Sequence, residues 1–88
     1  MNSTNTKGLK YMILGKAINE MIEVKTSSHQ RLAEKIGKKN GSAIGNIITR
    51  NNCTIDTLLD IAAALEYDIV LKPKGNFGST MVLTKDGE

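Results

Sequence analysis

The side chains best suited to chemistry in this 88-residue chain lie between residues 40 and 50, and they form hydrogen bonds rather than break covalent ones. The Asn46 amide donates and accepts at once, which suits an adenine edge, and the small Ala43 suits a thymine methyl group. Asn46 is alternatively a solvated surface residue, and Asn40 is either a helix cap or a contact. The candidate base-contacting residues are Ser42, Ala43, Asn46 and Asn40.

Positive charge is concentrated in the same half of the chain. Residues 1–50 contain nine Lys or Arg and three Glu, a net charge of +6, whereas residues 51–88 contain three Lys and six acidic residues, a net charge of −3. Binding to a phosphate backbone needs such clustering, because affinity rises with the number of phosphates neutralised. A lysine surface that only confers solubility has the same composition, so charge alone leaves both interpretations open. The cationic candidates for phosphate contact are Lys35, Lys38, Lys39 and Arg50.

The residue groups that enzymes and metal sites require are missing from the sequence. Cys53 is the only cysteine and has no plausible base near it in sequence, and the only histidine, His29, has no partner at a metal-binding spacing. The glycines between residues 37 and 45 follow no predicted strand, so they do not form a nucleotide-binding loop. We therefore expect a protein that is not an enzyme and that uses no metal or other cofactor.

Hydrophobic periodicity predicts four helices that would position the polar residues. Ser27, followed three residues later by Gln30, fits a capping box at the start of the second helix. Gly37 predicts a left-handed turn at its end, while Gly41 and Gly45 predict a tight turn and close packing. The predicted helices span residues 9–25, 29–36, 42–50 and 55–66.

Each predicted helix has an apolar stripe that should face a common core, and Gly15 slightly weakens the first helix because glycine is a poor helix former. Thr54 is the expected cap of the fourth helix. The residues expected on the buried faces are Leu14, Ile18, Met21, Ile22, Leu32, Ala33, Ile36, Ile44, Ile47, Ile48, Ile55, Leu58, Leu59, Ala62 and Leu65.

The periodicity changes after residue 67, where residues 68–72 and 80–84 read as two short strands. Both faces of the first strand carry apolar residues, and an isolated two-stranded hairpin is marginal in water. Pairing with a second copy of the chain would cover it, although the hairpin could instead fold back on its own helices. The residues expected at the dimer interface are Ile69, Val70, Leu71, Met81, Val82 and Leu83.

Two segments carry a resemblance to a known family: residues 55–65, and the run Leu32-Ala33-Glu34-Lys35-Ile36-Gly37. Residues 14–67 resemble the Cro/CI-type (XRE-like) helix–turn–helix family, and the strand that follows is similar to small HipB-like antitoxin or repressor members. The resemblance implies a mainly α, lambda-repressor-like fold of four to five helices with a short C-terminal β-hairpin or dimer-forming strand. It also implies that His29 and Gln30, at the N-terminus of the second helix, contact phosphate, which the helix dipole favours. It departs from the family at Lys38, where an aliphatic residue is usual, and in a turn that is one residue longer.

These features predict a cytoplasmic homodimer that binds double-stranded DNA at an inverted-repeat operator and regulates transcription, as a repressor, without membrane contact. The alternatives are an antitoxin that also binds a toxin, and a phage-type inhibitor that uses the fold to bind a protein. The predicted organisation is a flexible arm over residues 1–8, a helix–turn–helix domain over 9–67, a dimerising β-segment over 68–84 and a tail over 85–88.

Overall fold

The computed structural model describes residues 10–87, which form four α-helices followed by a two-stranded antiparallel hairpin. The mainly α prediction with a C-terminal hairpin is thereby confirmed. The arm predicted over residues 1–8 lies outside the described residues. Within residues 10–87, no helix is long and apolar enough to cross a lipid bilayer. The elements are α1 Leu14–Val24, α2 His29–Lys35, α3 Ser42–Arg50, α4 Ile55–Ala64, β1 Ile69–Leu71 and β2 Met81–Leu83.

Every helix contributes to one shared core. The four largest side chains that are completely buried come one from each helix, and smaller or partly buried apolar residues pack around them. One predicted core position is wrong, because Ile55 is 59% exposed. It is the first residue of α4, and the buried face of that helix begins after it. The predicted buried face of this helix also omitted Ile61, whose side chain is completely buried. The four central residues are Ile18, Leu32, Ile44 and Ile61.

The first helix starts later than its periodicity predicts. It begins at Leu14 rather than residue 9, and residues 10–13 are not helical. Its N-cap residue, Ile13, has an extended backbone and no capping side chain. The Gly15 N–H instead donates to Oδ1 of Asn51, at 2.7 Å, from the loop after α3. Since the capping group is distant in sequence, residues near the helix start do not reveal where it begins.

Gly15 of α1 lies directly against the backbone of α3 at Ile48. A β-carbon at this position would lie 2.5 Å from the carbonyl oxygen of Ile48, which is too short for a normal contact. The prediction of close packing holds for Gly41, where a β-carbon would lie 3.0 Å from the Gln30 nitrogen. It is wrong for Gly45, whose nearest neighbour would be 3.9 Å away. Glycine is therefore required at Gly15, because only a residue without a side chain lets the two backbones touch.

A side-chain hydrogen bond closes the first end of α2, and backbone hydrogen bonds close the other. The Ser28 hydroxyl accepts from the Arg31 N–H at 3.1 Å, so the cap lies one residue after the predicted capping box. At the other end Gly37 has a φ of +82°, which confirms the left-handed turn. The Lys38 N–H donates to the Ala33 carbonyl at 2.8 Å, which gives the helix end a Schellman arrangement. This turn sets the direction in which the chain leaves α2 toward α3.

The hairpin is shorter than predicted and largely uncovered. Ile69 pairs with Leu83, Val70 with Val82, and Leu71 with Met81. Only the Ile69–Leu83 pair is partly buried, and the four remaining side chains are about half exposed. An ion pair of 2.9 Å between Lys85 and Asp60 joins the end of the hairpin to α4.

Candidate nucleic-acid interface

A groove with a volume of about 290 Å³ lies between α3 and the loop that leads into α4. We call it the α3 groove. Predicted base-contacting and phosphate-contacting residues meet here, although they are separated in sequence. Ala43, Asn46 and Arg50 follow each other at spacings of three and four residues, which places them on one face of α3. The polar and small residues that define the groove are Lys38, Ala43, Asn46, Arg50, Asn52 and Thr54.

The Asn46 amide is free to recognise a ligand. Its residue is exposed, and its side chain has no hydrogen-bond partner among residues 10–87. Ala43 lies one turn earlier and is partly buried, so it offers a small apolar contact beside the amide. The two side chains therefore lie one turn apart on α3, and their contact with base edges stays a prediction.

Asn40 and Ser42 are already engaged with each other. Oδ1 of Asn40 accepts from the Ser42 N–H at 2.9 Å and from the Ser42 hydroxyl. The N-cap residue of α3 is Gly41, and Asn40 precedes it with its Oδ1 bonded to the first turn of the helix. A base contact by Ser42 would require its hydroxyl to leave Asn40, so Ala43 and Asn46 are the available members of the predicted set.

Gln30 joins α2 to the start of α3. Its Oε1 accepts from the Gly41 N–H at 3.0 Å, and its Nε2 donates to Oε2 of Glu34 at 2.9 Å. Both ends of this amide are therefore used inside the protein, which positions the turn between the helices. His29 is exposed and lies against Gly41, because a β-carbon added at Gly41 would lie 3.0 Å from the β-carbon of His29. His29 and Gln30 thus lie at the junction of α2 and α3.

The cations near the α3 groove have no acidic partners. Among residues 10–87, Lys38, Lys39 and Arg50 form no ion pair, whereas Lys10, Lys25 and Lys85 are each paired with a carboxylate. Lys38 and Arg50 line the groove itself, and Lys39 is the next residue in the exposed turn. Unpaired cations can neutralise an anionic ligand without first losing an internal salt bridge.

Lys35 is separated from this surface. It lines a different and larger cavity of about 1070 Å³ that lies between the end of α1, α2 and α4. Arg31 and Asp60 line the same cavity, so its walls carry both signs of charge. The structure therefore does not bring Lys35 together with the other predicted phosphate contacts.

Sequence reasoning missed two polar residues of the α3 groove. Asn52 is exposed with an unpartnered amide, and Thr54 caps α4 by accepting from the Thr57 N–H at 3.1 Å. The signal in the sequence is the pair of consecutive asparagines, Asn51 and Asn52, directly after α3. Cys53 lies between Asn52 and Thr54, and burial raises the pKa of its thiol, which keeps it protonated at neutral pH and unsuited to nucleophilic attack.

No protein family, curated protein or solved structure matches this chain. The surface joins an unpartnered amide, a small apolar residue and free cations on α3 and in the turn before it. That combination can bind a polar, anionic partner through hydrogen bonds and charge.

Proposed function

We propose that this chain is a sequence-specific DNA-binding regulator of transcription that binds an inverted-repeat operator as a homodimer and represses by occluding a promoter. The observation that carries the proposal is the α3 groove, which the free Asn46 amide lines together with the unpaired cations of Lys38 and Arg50. An α-helix fits the major groove of B-DNA, where base edges present distinct donors and acceptors. The phosphates lie on either side, within reach of such cations.

The proposed contacts divide into two kinds. Asn46 and Ala43 read bases, because an amide can make two hydrogen bonds to adenine and a methyl group packs on thymine. Lys38, Lys39 and Arg50 contact phosphates, which adds affinity without sequence preference. Gln30 and Asn40 position α3, since their side chains are bonded to the turn and to the first turn of that helix.

The first test asks whether a preferred DNA sequence exists. The protein is mixed with a randomised duplex pool, and bound molecules are selected and sequenced over a series of salt concentrations. The expected result is an enriched inverted repeat with half-sites about one helical turn, or roughly 10 base pairs, apart. Absence of enrichment, together with binding that disappears at physiological salt, would reject the proposal and favour a protein partner such as a toxin.

The second test assigns the roles of two side chains. Asn46→Ala should weaken binding to the selected sequence by about 1–3 kcal/mol and relax one base position. The matched control is Asn19→Ala, an exposed asparagine on α1 outside the α3 groove, which should bind as the wild type does. Equal losses on selected and random DNA would show that Asn46 is not a base-reading residue.

Lys39→Ala should instead weaken all sequences to a similar degree. Loss of one phosphate contact should lower the slope of log affinity against log salt by about 1. The control is Lys74→Ala, an exposed lysine in the hairpin turn, for which no change of slope is expected. A sequence-dependent loss for Lys39→Ala would contradict its assignment to phosphate.

A further inference from the structure

A second and larger groove lies on a different part of the molecule from the α3 groove. It has a volume of about 1070 Å³ and is formed by α2, α4 and the segment that follows α1. We call it the α2–α4 groove, and it shares no lining residue with the α3 groove. Its apolar floor consists of aliphatic side chains at the ends of α2 and α4, namely Ile36, Ala63, Ala64 and Leu65.

Every acidic side chain that lines the α2–α4 groove already has a partner within the protein. Each carboxylate is held by a neighbouring amide or ammonium group, so none of them forms an ion pair with the two remaining cations of the groove. The three pairs are Glu34 with Gln30 at 2.9 Å, Asp60 with Lys85 at 2.9 Å, and Glu66 with Lys25 at 3.6 Å.

The two remaining cations of the groove are free. Among residues 10–87, the side chains of Arg31 and Lys35 form neither an ion pair nor a hydrogen bond, and both residues are exposed. They lie four residues apart on α2, which places them on one face of the helix with their β-carbons about 5–6 Å apart. The Arg31 guanidinium can bind one carboxylate through two parallel hydrogen bonds, and the Lys35 ammonium can bind a second as a point charge.

We propose that the α2–α4 groove binds a peptide segment of a partner protein in which two acidic residues flank one apolar residue. In an extended peptide, side chains two positions apart point in the same direction and lie roughly 7 Å apart. Two such carboxylates can meet Arg31 and Lys35, while the apolar side chain between them points to the opposite wall, where Ala63 and Ala64 lie on α4. This site is additional to the proposed function and does not depend on it.

The mixture of charges in this groove favours a peptide over the backbone of a nucleic acid. A DNA duplex carries one negative charge for about every 1.7 Å of its axis, so it would bring phosphates onto the three carboxylates as well as the two free cations. A peptide can place its acidic side chains at the cations and present uncharged groups to the carboxylates. The α3 groove differs in this respect, because no acidic residue lines it.

The test follows the backbone amide signals of the isotopically labelled full chain by NMR while a peptide is added. The probe is a peptide with blocked ends that carries Glu-Leu-Glu between Gly-Ser-Gly segments. The expected result is a saturable shift of signals from the α2–α4 groove, with a dissociation constant of about 1 mM or lower. Two matched peptides should bind about tenfold more weakly: Gln-Leu-Gln, because it lacks the carboxylates, and Glu-Ser-Glu, because it lacks the apolar side chain.

Variants of the protein assign the two cations. Arg31→Ala and Lys35→Ala should each raise the dissociation constant of the Glu-Leu-Glu peptide by about threefold to tenfold, because each removes one of the two carboxylate contacts. The matched control is Lys16→Ala, which removes an exposed lysine of α1 outside both grooves and should leave the constant unchanged. Circular dichroism of each variant checks that the helices remain folded.

Three results would overturn the inference. The Glu-Leu-Glu peptide could shift only signals outside the α2–α4 groove, which would place its binding site elsewhere. Lys16→Ala could weaken binding as strongly as Arg31→Ala, which would mean that the peptide responds only to the overall positive charge. A short DNA duplex of random sequence could shift the signals of the α2–α4 groove, lose affinity in Arg31→Ala and displace the peptide, which would make phosphate the ligand of these cations.

Discussion

Replacing Gly15 by alanine tests the contact that holds α1 against α3. In an ordinary helix interior this change is favourable by about 1 kcal/mol, because alanine is a better helix former than glycine. In this structure the new β-carbon would lie 2.5 Å from the carbonyl oxygen of Ile48. The obstacle is backbone, which cannot rotate away as a side chain can. The two helices must therefore separate by roughly 1 Å in a closely packed interior.

The size of the effect follows from three contributions. Forcing an additional carbon into a packed contact costs about 1–3 kcal/mol. Separation also weakens the hydrogen bond from Gly15 to Asn51, which contributes about 1 kcal/mol. The gain in helix propensity offsets about 1 kcal/mol of this cost. We expect Gly15→Ala to lower the free energy of unfolding by about 2 kcal/mol, and the melting temperature by roughly 10 °C.

The assay is urea unfolding followed by far-ultraviolet circular dichroism, at one protein concentration so that self-association contributes equally to every sample. The matched control is Gly45→Ala, a second helical glycine whose added β-carbon would meet only the Nδ1 atom of His29 at 3.9 Å. This control should stabilise the protein by up to about 1 kcal/mol. A Gly15→Ala variant as stable as the wild type would refute the close contact between α1 and α3.

Three further predictions concern other features of the fold and the site. Gly37→Ala should destabilise the protein by about 1 kcal/mol, because the φ of +82° is unfavourable for alanine although nothing obstructs its side chain; unchanged urea unfolding would contradict this. Asn51→Ala should lower the free energy of unfolding by about 1–2 kcal/mol, because it removes the cap on α1 and places alanine at a positive φ. Asn51→Gly should recover only the part that is due to the positive φ, because glycine tolerates that conformation but cannot cap the helix. Alkylation of Cys53 by iodoacetamide should be slow at neutral pH and accelerate as the pH rises toward the raised pKa of the thiol, because only the thiolate reacts. Since Cys53 lines the α3 groove, operator DNA should slow this reaction several-fold at pH 8.5, and an unchanged rate would argue against DNA binding there.

Helices and strands were predictable to different degrees. The bounds of α3 were predicted correctly from the spacing of Ile44, Ile47 and Ile48, because local periodicity reports directly which face of a helix is buried. The start of α1 was not, since its cap comes from Asn51 across the fold. The strands are three residues long rather than five, because only residues paired with a partner strand count as sheet.

The candidate site was predictable as a set of residue types but not as an arrangement. The sequence indicated Asn46, Ala43, Lys38 and Arg50, and these residues share the α3 groove. It also indicated Lys35, which lines another cavity. Residue type tells which side chains can bind a base or a phosphate, whereas the packing of the helices decides which of them lie together.

The sequence by itself determined the order of the elements, the left-handed turn at Gly37 and the concentration of positive charge in the first fifty residues. These properties depend on neighbours along the chain, such as backbone preference, periodicity and composition. The tertiary structure decided that residue 15 must be glycine. It also decided that Gln30 bonds to the turn before α3, that Asn40 bonds to the first turn of α3, and that the Asn46 amide has no hydrogen-bond partner within residues 10–87. Those outcomes depend on contacts between elements, and a contact across space is set by packing, which no local pattern specifies.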